Sequence, residues 1–112
     1  MTLREKQSLF VRLVGDLIVH ATAEGYEFTL GESWRTPEMV ALYKVRGTGS
    51  GKSLHPDRLA IDLNLFVNGE YQAGTEAHRP LGLWWENLHP LCRWGGRFND
   101  GNHYSLAHEG RA

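Results

Sequence analysis

Apolar positions along residues 3 to 24 recur at spacings of three and four. Leu3, Phe10, Leu13, Val14, Leu17, Ile18 and Ala21 share one side, and Gly25 follows as a stop. That period predicts an amphipathic helix with a single buried face. The period drops to two in "YEFTLGESWR", where Tyr26, Phe28 and Leu30 alternate with polar residues, the pattern of a short strand. A second helix is expected from Thr36 to about Val45 or Arg46. Thr36 is an N-cap residue, Pro37 suits the first turn, and Glu38 meets the positive end of the helix dipole. "GTGSGKS" reads as a flexible linker. Residues 59 to 66 carry the best strand pattern in the chain, and "VNGEY" follows as a hairpin with Asn68-Gly69 at its turn. "RPLGLWWENLHPLC" reads as a short helix ending at Pro90. "WGGRFNDGNHYSLA" reads as a glycine-broken loop entering a last strand from His103 to Leu106. This order predicts a small α+β domain, with a central antiparallel sheet and helices packed on it.

Composition narrows the functional classes. A chain of 112 residues builds one modest core, so a single catalytic domain is expected, without a separate cell-wall-binding domain. Twelve Lys and Arg face thirteen Asp and Glu, a net charge of −1, which gives no support to nucleic acid or a membrane surface as partner. Cys92 is the only cysteine, which excludes an internal disulfide and suits a reducing compartment. Arg4, Glu5, Lys6, Arg12 and Asp16 interrupt the first apolar stretch, so neither a signal peptide nor a membrane span is expected there. "GTGSGKS" imitates a phosphate-binding loop, but G-x-x-x-x-G-K-[ST] needs glycine where Arg46 stands, and a helix precedes it rather than a strand.

The chemistry gathers around "KSLHPDRLAIDLNLF". A carboxylate is costly to bury unless it is paired or holds a metal, yet Asp62 sits in the middle of the strand. A turn at Pro56-Asp57 would bring that strand back past His55. Ala60, Asp62 and Asn64 would then share one face, with Leu59, Ile61, Leu63 and Leu65 on the core side. A third ligand is expected from another strand, and "NDGNHYSL" offers His103, with Tyr104 and Leu106 turned away from it. Two histidines and one carboxylate leave a tetrahedral zinc with an open position, as catalysis requires. Asp100, three residues before His103, is a second carboxylate near the same ion.

"SLHPDRLAID" resembles the S-x-H-x-x-G-x-A-x-D motif of zinc D-Ala-D-Ala carboxypeptidases and L-alanyl-D-glutamate endopeptidases. "DGNHYSL" resembles their second motif, and "WRTPEMVALY" and "WGGRFNDGNHY" look like the phage endolysin branch. The resemblance covers residues 26 to 107. It implies a hedgehog/DD-peptidase-like fold, zinc on His55, Asp62 and His103, Asp100 as catalytic acid and base, and Arg35 holding the substrate carbonyl. It also implies Ser53 as the serine that opens the first motif and contacts substrate. The implied substrate is the peptide stem of bacterial peptidoglycan, cut at L-Ala–D-Glu for host cell lysis. Removal of terminal D-Ala is the rival reaction, and a zinc-binding module without turnover the rival of another class. The implied protein is a monomer that waits in the host cytoplasm until the membrane is permeabilised. Arg58 departs from the motif's glycine, so this turn either avoids a left-handed backbone or gives Arg58 a local role. His20 is expected on the helix surface, and His78, His89 and His108 as structural or exposed. Trp34, Trp84, Trp85 and Trp94 are core residues by default. Trp94, beside Gly95-Gly96 and the second motif, has a second reading as a wall of the substrate groove.

Overall fold

The computed structural model describes residues 1–34, 36, 38, 39, 42 and 53–112. The first helix, α1, spans Leu3–Ala23 and opens on a capping box. Glu5 N–H donates to Thr2 Oγ1 at 3.1 Å, and Thr2 N–H donates to Glu5 Oε1 at 2.8 Å, which satisfies two donors that a helix end leaves unpaired. Phe10, Leu13, Val14, Leu17 and Ala21 are buried. Leu3 and Ile18, at the margins of the predicted stripe, remain 43% and 37% exposed, because a helix lying on one surface buries only a limited arc. The chain leaves α1 at Gly25, as expected, with Tyr26 N–H donating to Ala21 O at 2.9 Å.

Among the described residues, five strands form one antiparallel sheet: β1 (Glu27–Leu30), β2 (Ala60–Val67), β3 (Glu70–Gln72), β4 (Cys92–Trp94) and β5 (His103–Leu106). The order is β1-β2-β5-β4, and β3 pairs with β2. Asn68 and Gly69 turn the β2–β3 hairpin with φ of 52° and 79°, the positive values that a two-residue hairpin demands. Within the second predicted helix, Glu38, Met39 and Leu42 are helical, and Met39 N–H donates to the Thr36 hydroxyl at 3.0 Å. Arg35, Pro37, Val45, Arg46 and most of the "GTGSGKS" linker lie outside the described residues.

The third predicted helix is α2, Thr75–Leu88, which starts four residues before Arg79 and carries Pro80 inside it. Proline there forfeits one backbone hydrogen bond. His78, Leu81 and Trp85 line the helix's buried face and hold it against the sheet. Sequence reading missed β4, which is only three residues long. It also read as loop the 3-10 helix Gly95–Phe98.

Register decides which side chains share a face. Ile61 stands opposite Tyr104 and Asp62 opposite His103, so one sheet face is apolar and the other carries the chemistry. The helices cover the apolar face. Trp85 donates its indole N–H to the carbonyls of Arg93 at 3.0 Å and Ser105 at 3.2 Å, and packs edge-on against Phe10 and Tyr104. His78 is buried there too, its Nδ1 2.9 Å from the Tyr104 hydroxyl, and desolvation lowers its pKa to about 4. Burial pushes the Cys92 thiol up to about 12, which leaves it unreactive. Two tryptophans depart from the core default. Trp84 is half-buried and stacks on His20 at 4.0 Å, while Trp34 is 44% exposed.

Candidate metal centre

Three segments deliver the polar residues to one place. The first is the turn after Ser53. Arg58 N–H donates to His55 O at 3.0 Å, so Pro56 and Asp57 are the central residues of the turn that the sequence predicted. Ser53 Oγ accepts from His55 N–H at 3.1 Å. Arg58 has φ of 58°, in the left-handed region that favours glycine. The turn therefore adopts the left-handed backbone, with arginine where the resembled motif has glycine. Arg58 also has a local role: its guanidinium lies 5.0 Å from the centroid of the Trp34 ring, and the Trp34 indole donates to Pro56 O at 3.3 Å.

The second segment is β2. Alternation sends Ile61 and Leu63 into the core and leaves Asp62 half-buried on the other face. The chain just after β1 clamps its backbone: Gly31 N–H donates to Asp62 O at 2.8 Å, and Asp62 N–H donates to Glu32 O at 2.7 Å. The third segment is the entry to β5. Asp100 N–H donates to Gly95 O at 2.9 Å and His103 N–H to Asp100 O at 3.1 Å. A Cβ on Gly95 would stand 2.8 Å from His103 Cβ and run into the Asp100 carbonyl, so this turn closes only over glycine.

The result is a compact donor set. His55 Nε2 lies 3.4 Å from Asp62 Oδ1, and His103 Nδ1 lies 3.5 Å from the same oxygen. The three donor atoms fall within 4.8 Å of one another. His55 and His103 are 2% and 6% exposed. Those N···O separations are too long for good hydrogen bonds, and Asp62 Oδ1 has no hydrogen-bond partner among the described residues. They match the edge of a zinc tetrahedron: with bonds of about 2.0–2.2 Å, two ligands of one ion stand roughly 3.3–3.5 Å apart. A buried orphan oxygen between two imidazoles fits a metal ion and is otherwise an expensive arrangement. Desolvation is the largest influence on Asp62 and raises its pKa. The attraction of His103 and then of His55 outweighs it, and the carboxyl is held down at about 2, ionised and ready to coordinate.

Asp100 stands apart from this trio. Its Oδ2 is 4.0 Å from His103 Nδ1, and its side chain is half exposed. The two carboxylates therefore occupy different environments, one enclosed between imidazoles and one at the open edge. Ser53 lies beside His55, through the bond to its amide. Trp94 is only 3% exposed, its indole N–H donates to Gly101 O at 2.7 Å, and it borders a pocket together with Glu86, Arg97 and Phe98. The exposed ring at the site is Phe98, 54% exposed and 5.8 Å from the His103 ring, which sequence reading did not single out. Its only signal was an aromatic residue inside a glycine-rich stretch. Arg35 lies outside the described residues.

Solved structures share this architecture. The chain matches the Serratia marcescens L-Ala D-Glu endopeptidase ChiX with a TM-score of 0.73 at 17% identity, over 88% of this chain and 77% of that one. It matches the vancomycin resistance D,D-pentapeptidase VanY, from a VanB-type resistance cassette and in complex with Zn(II), with a TM-score of 0.57 at 22% identity. That match covers 87% of this chain and 70% of the other. It also matches VanYB in complex with D-Alanine-D-Alanine, with a TM-score of 0.52 at 22% identity, over 88% and 70%. No family model and no curated protein sequence matches the chain. The fold is that of the ChiX and VanY peptidases, and its polar face carries a His-Asp-His group able to hold a metal ion.

Proposed function

We propose that this protein is a zinc peptidase that cuts the peptide stem of bacterial peptidoglycan, at the L-Ala–D-Glu bond, in the lysis role of phage endolysins. The observation that carries the reading is the His55–Asp62–His103 group, spaced as ligands of one ion on a fold shared with peptidoglycan peptidases. The higher TM-score to the endopeptidase, 0.73 against 0.57 for the pentapeptidase, supports the choice of bond. The likeness of "WRTPEMVALY" and "WGGRFNDGNHY" to the endolysin branch supports the lysis role. No helix among the described residues is long and apolar enough to cross a membrane.

His55, Asp62 and His103 would hold the zinc. When bound, zinc would lower the pKa of water to about 7 and polarise a carbonyl. Asp100, at the open edge, takes a proton from the attacking water and returns it to the leaving amine. Ser53 Oγ accepts from the His55 amide and keeps its own O–H to donate toward substrate. Arg35 is assigned to the substrate carbonyl on the motif match. The exposed face of Phe98 offers the stem peptide an apolar wall next to His103.

The test is mass spectrometry of purified peptidoglycan after incubation with zinc-loaded protein. Fragments cut between L-Ala and D-Glu, with no new reducing sugar ends, are expected. Release of terminal D-Ala instead would establish the carboxypeptidase reaction. An unaltered stem, with folded and zinc-loaded protein, would leave a binding module without turnover.

A further inference from the structure

One residue outside both motifs, and outside the stretch that resembles the peptidases, joins the two histidine-bearing segments. After β5 the chain makes a tight turn. His108 N–H donates to Arg111 O at 3.0 Å, and Arg111 N–H donates to His108 O at 2.9 Å. Glu109 and Gly110 fill the turn with φ of 50° and 77°, the hairpin geometry that Asn68-Gly69 also adopts. The turn is anchored to the body of the protein, since Ala107 N–H donates to Leu91 O at 2.8 Å and Lys6 Nζ lies 3.1 Å from His108 Nδ1. Arg111 is thereby presented at a set position relative to the strand that begins with His103.

From there its guanidinium reaches the His55 turn on both sides of the histidine. Nη2 lies 2.9 Å from Asp57 Oδ2, and Nη1 donates to Ser53 O at 3.4 Å. Nη2 also lies 3.6 Å from Glu109 Oε2 within its own turn. The Arg111 and Asp57 side chains are only 24% and 27% exposed, so this pair is shielded from water more than an ordinary surface pair. Gln7 Nε2 adds a bond to Asp57 O at 2.8 Å. A planar fork with several donors suits such a two-point grip, and a lysine ammonium does not reproduce it.

We propose that Arg111 is a positioning residue for the metal centre: it locks the Ser53–Arg58 turn to the end of β5, so that His55 stands in register with His103 and Asp62. The proposal rests on the reading of those three residues as metal ligands. It explains how a loop histidine is held at ligand distance although its own ring has no hydrogen-bond partner at Nδ1 among the described residues.

The experiment compares wild type, Arg111→Ala and Arg111→Lys. Zn2+ dissociation constants come from competition with a chelator. Amide hydrogen exchange of the metal-free proteins is read residue by residue by NMR. Arg111→Ala should weaken Zn2+ binding by roughly 10 to 100-fold, the usual effect of losing a partner that orients a ligand. It should speed exchange at His55, Asp57 and Arg58, with the β2 and β5 amides unchanged. Arg111→Lys should recover part of both effects, keeping the charge toward Asp57 but not the grip on the Ser53 carbonyl. Unchanged Zn2+ affinity and unchanged loop exchange in Arg111→Ala would overturn the proposal. Faster exchange spread evenly over the strands would overturn it as well, since Arg111 would then support the fold and not the site. If wild type binds no Zn2+, the ligand reading and the metal-positioning role fall together. If wild type binds and Arg111→Ala binds equally well, only the role of Arg111 falls.

Discussion

Asp62 and Asp100 show how two identical side chains near one site acquire different tasks. Asp62 is enclosed, ionised and flanked by both imidazoles, while Asp100 reaches the solvent edge. Asp62→Ala should therefore abolish stoichiometric zinc binding, measured by metal analysis of the purified protein. Asp100→Asn should keep its zinc and lose about 100 to 10,000-fold in turnover, because an amide cannot carry a proton. Zinc content and wall-lysis rate measured on one preparation separate the two, and loss of zinc from Asp100→Asn would mean the roles are exchanged. Arg58 poses a residue-scale question of its own. A left-handed backbone costs a non-glycine residue about 1–2 kcal/mol, and the contact with Trp34 returns roughly 0.5–1 kcal/mol at an exposed site. Arg58→Gly removes both and should be as stable as wild type or slightly more so. Arg58→Ala keeps the strain, loses the contact and should be less stable than either. Urea denaturation of the three gives the ranking, and an alanine variant as stable as wild type would mean that the stacking contributes nothing.

Two helical glycines, with the same substitution, should respond with opposite signs. Gly15 lies on the exposed side of α1, and an added Cβ there meets nothing within 4 Å. Gly15→Ala should raise stability by about 0.5–1 kcal/mol through helix propensity alone. Gly82 lies on the buried face of α2, where an added Cβ would run into the Trp94 indole. Overpacking of a tight core costs about 1–3 kcal/mol, which exceeds the propensity gain, so Gly82→Ala should lower the thermal midpoint. If both variants shift the midpoint in the same direction, the close packing of α2 on Trp94 is not what holds that helix. The start of α2 teaches the same lesson. Pro80 made Arg79 the natural first residue in sequence, yet four earlier residues are helical because the buried face of the helix extends back to His78.

Burial of His78 makes the stability of the whole molecule depend on pH. Its folded pKa is about 4 against an ordinary value near 6.5, and the cause is desolvation of the charged ring. Between those values the unfolded chain binds a proton that the folded chain refuses, so stability falls as pH drops from 6.5 toward 4 and then levels off. From pH 7 to pH 5 this one group should remove roughly 2 kcal/mol. His78→Gln should flatten that part of the profile in urea unfolding measured at both pH values. An unchanged slope in the variant would assign the acid sensitivity to other groups.

Where structure depends on neighbours along the chain, the sequence alone determined it. The face of α1, its stop at Gly25, the Asn68-Gly69 hairpin, the Pro56-Asp57 turn and the outward aim of Asp62 all follow from local periodicity and turn chemistry, which act within a few residues. Motif spacing likewise brought His55, Asp62 and His103 together before any coordinates did. Tertiary structure decided what depends on register and packing between distant segments. It set the 3.4 Å and 3.5 Å separations at Asp62 Oδ1. It buried Trp94 and exposed Trp34, although nothing local distinguishes the two indoles. It recruited three residues as β4, too few for a period to show. It also placed Arg111 against a turn 58 residues earlier in the chain, because the antiparallel pairing of β2 and β5 returns the end of β5 to the start of β2.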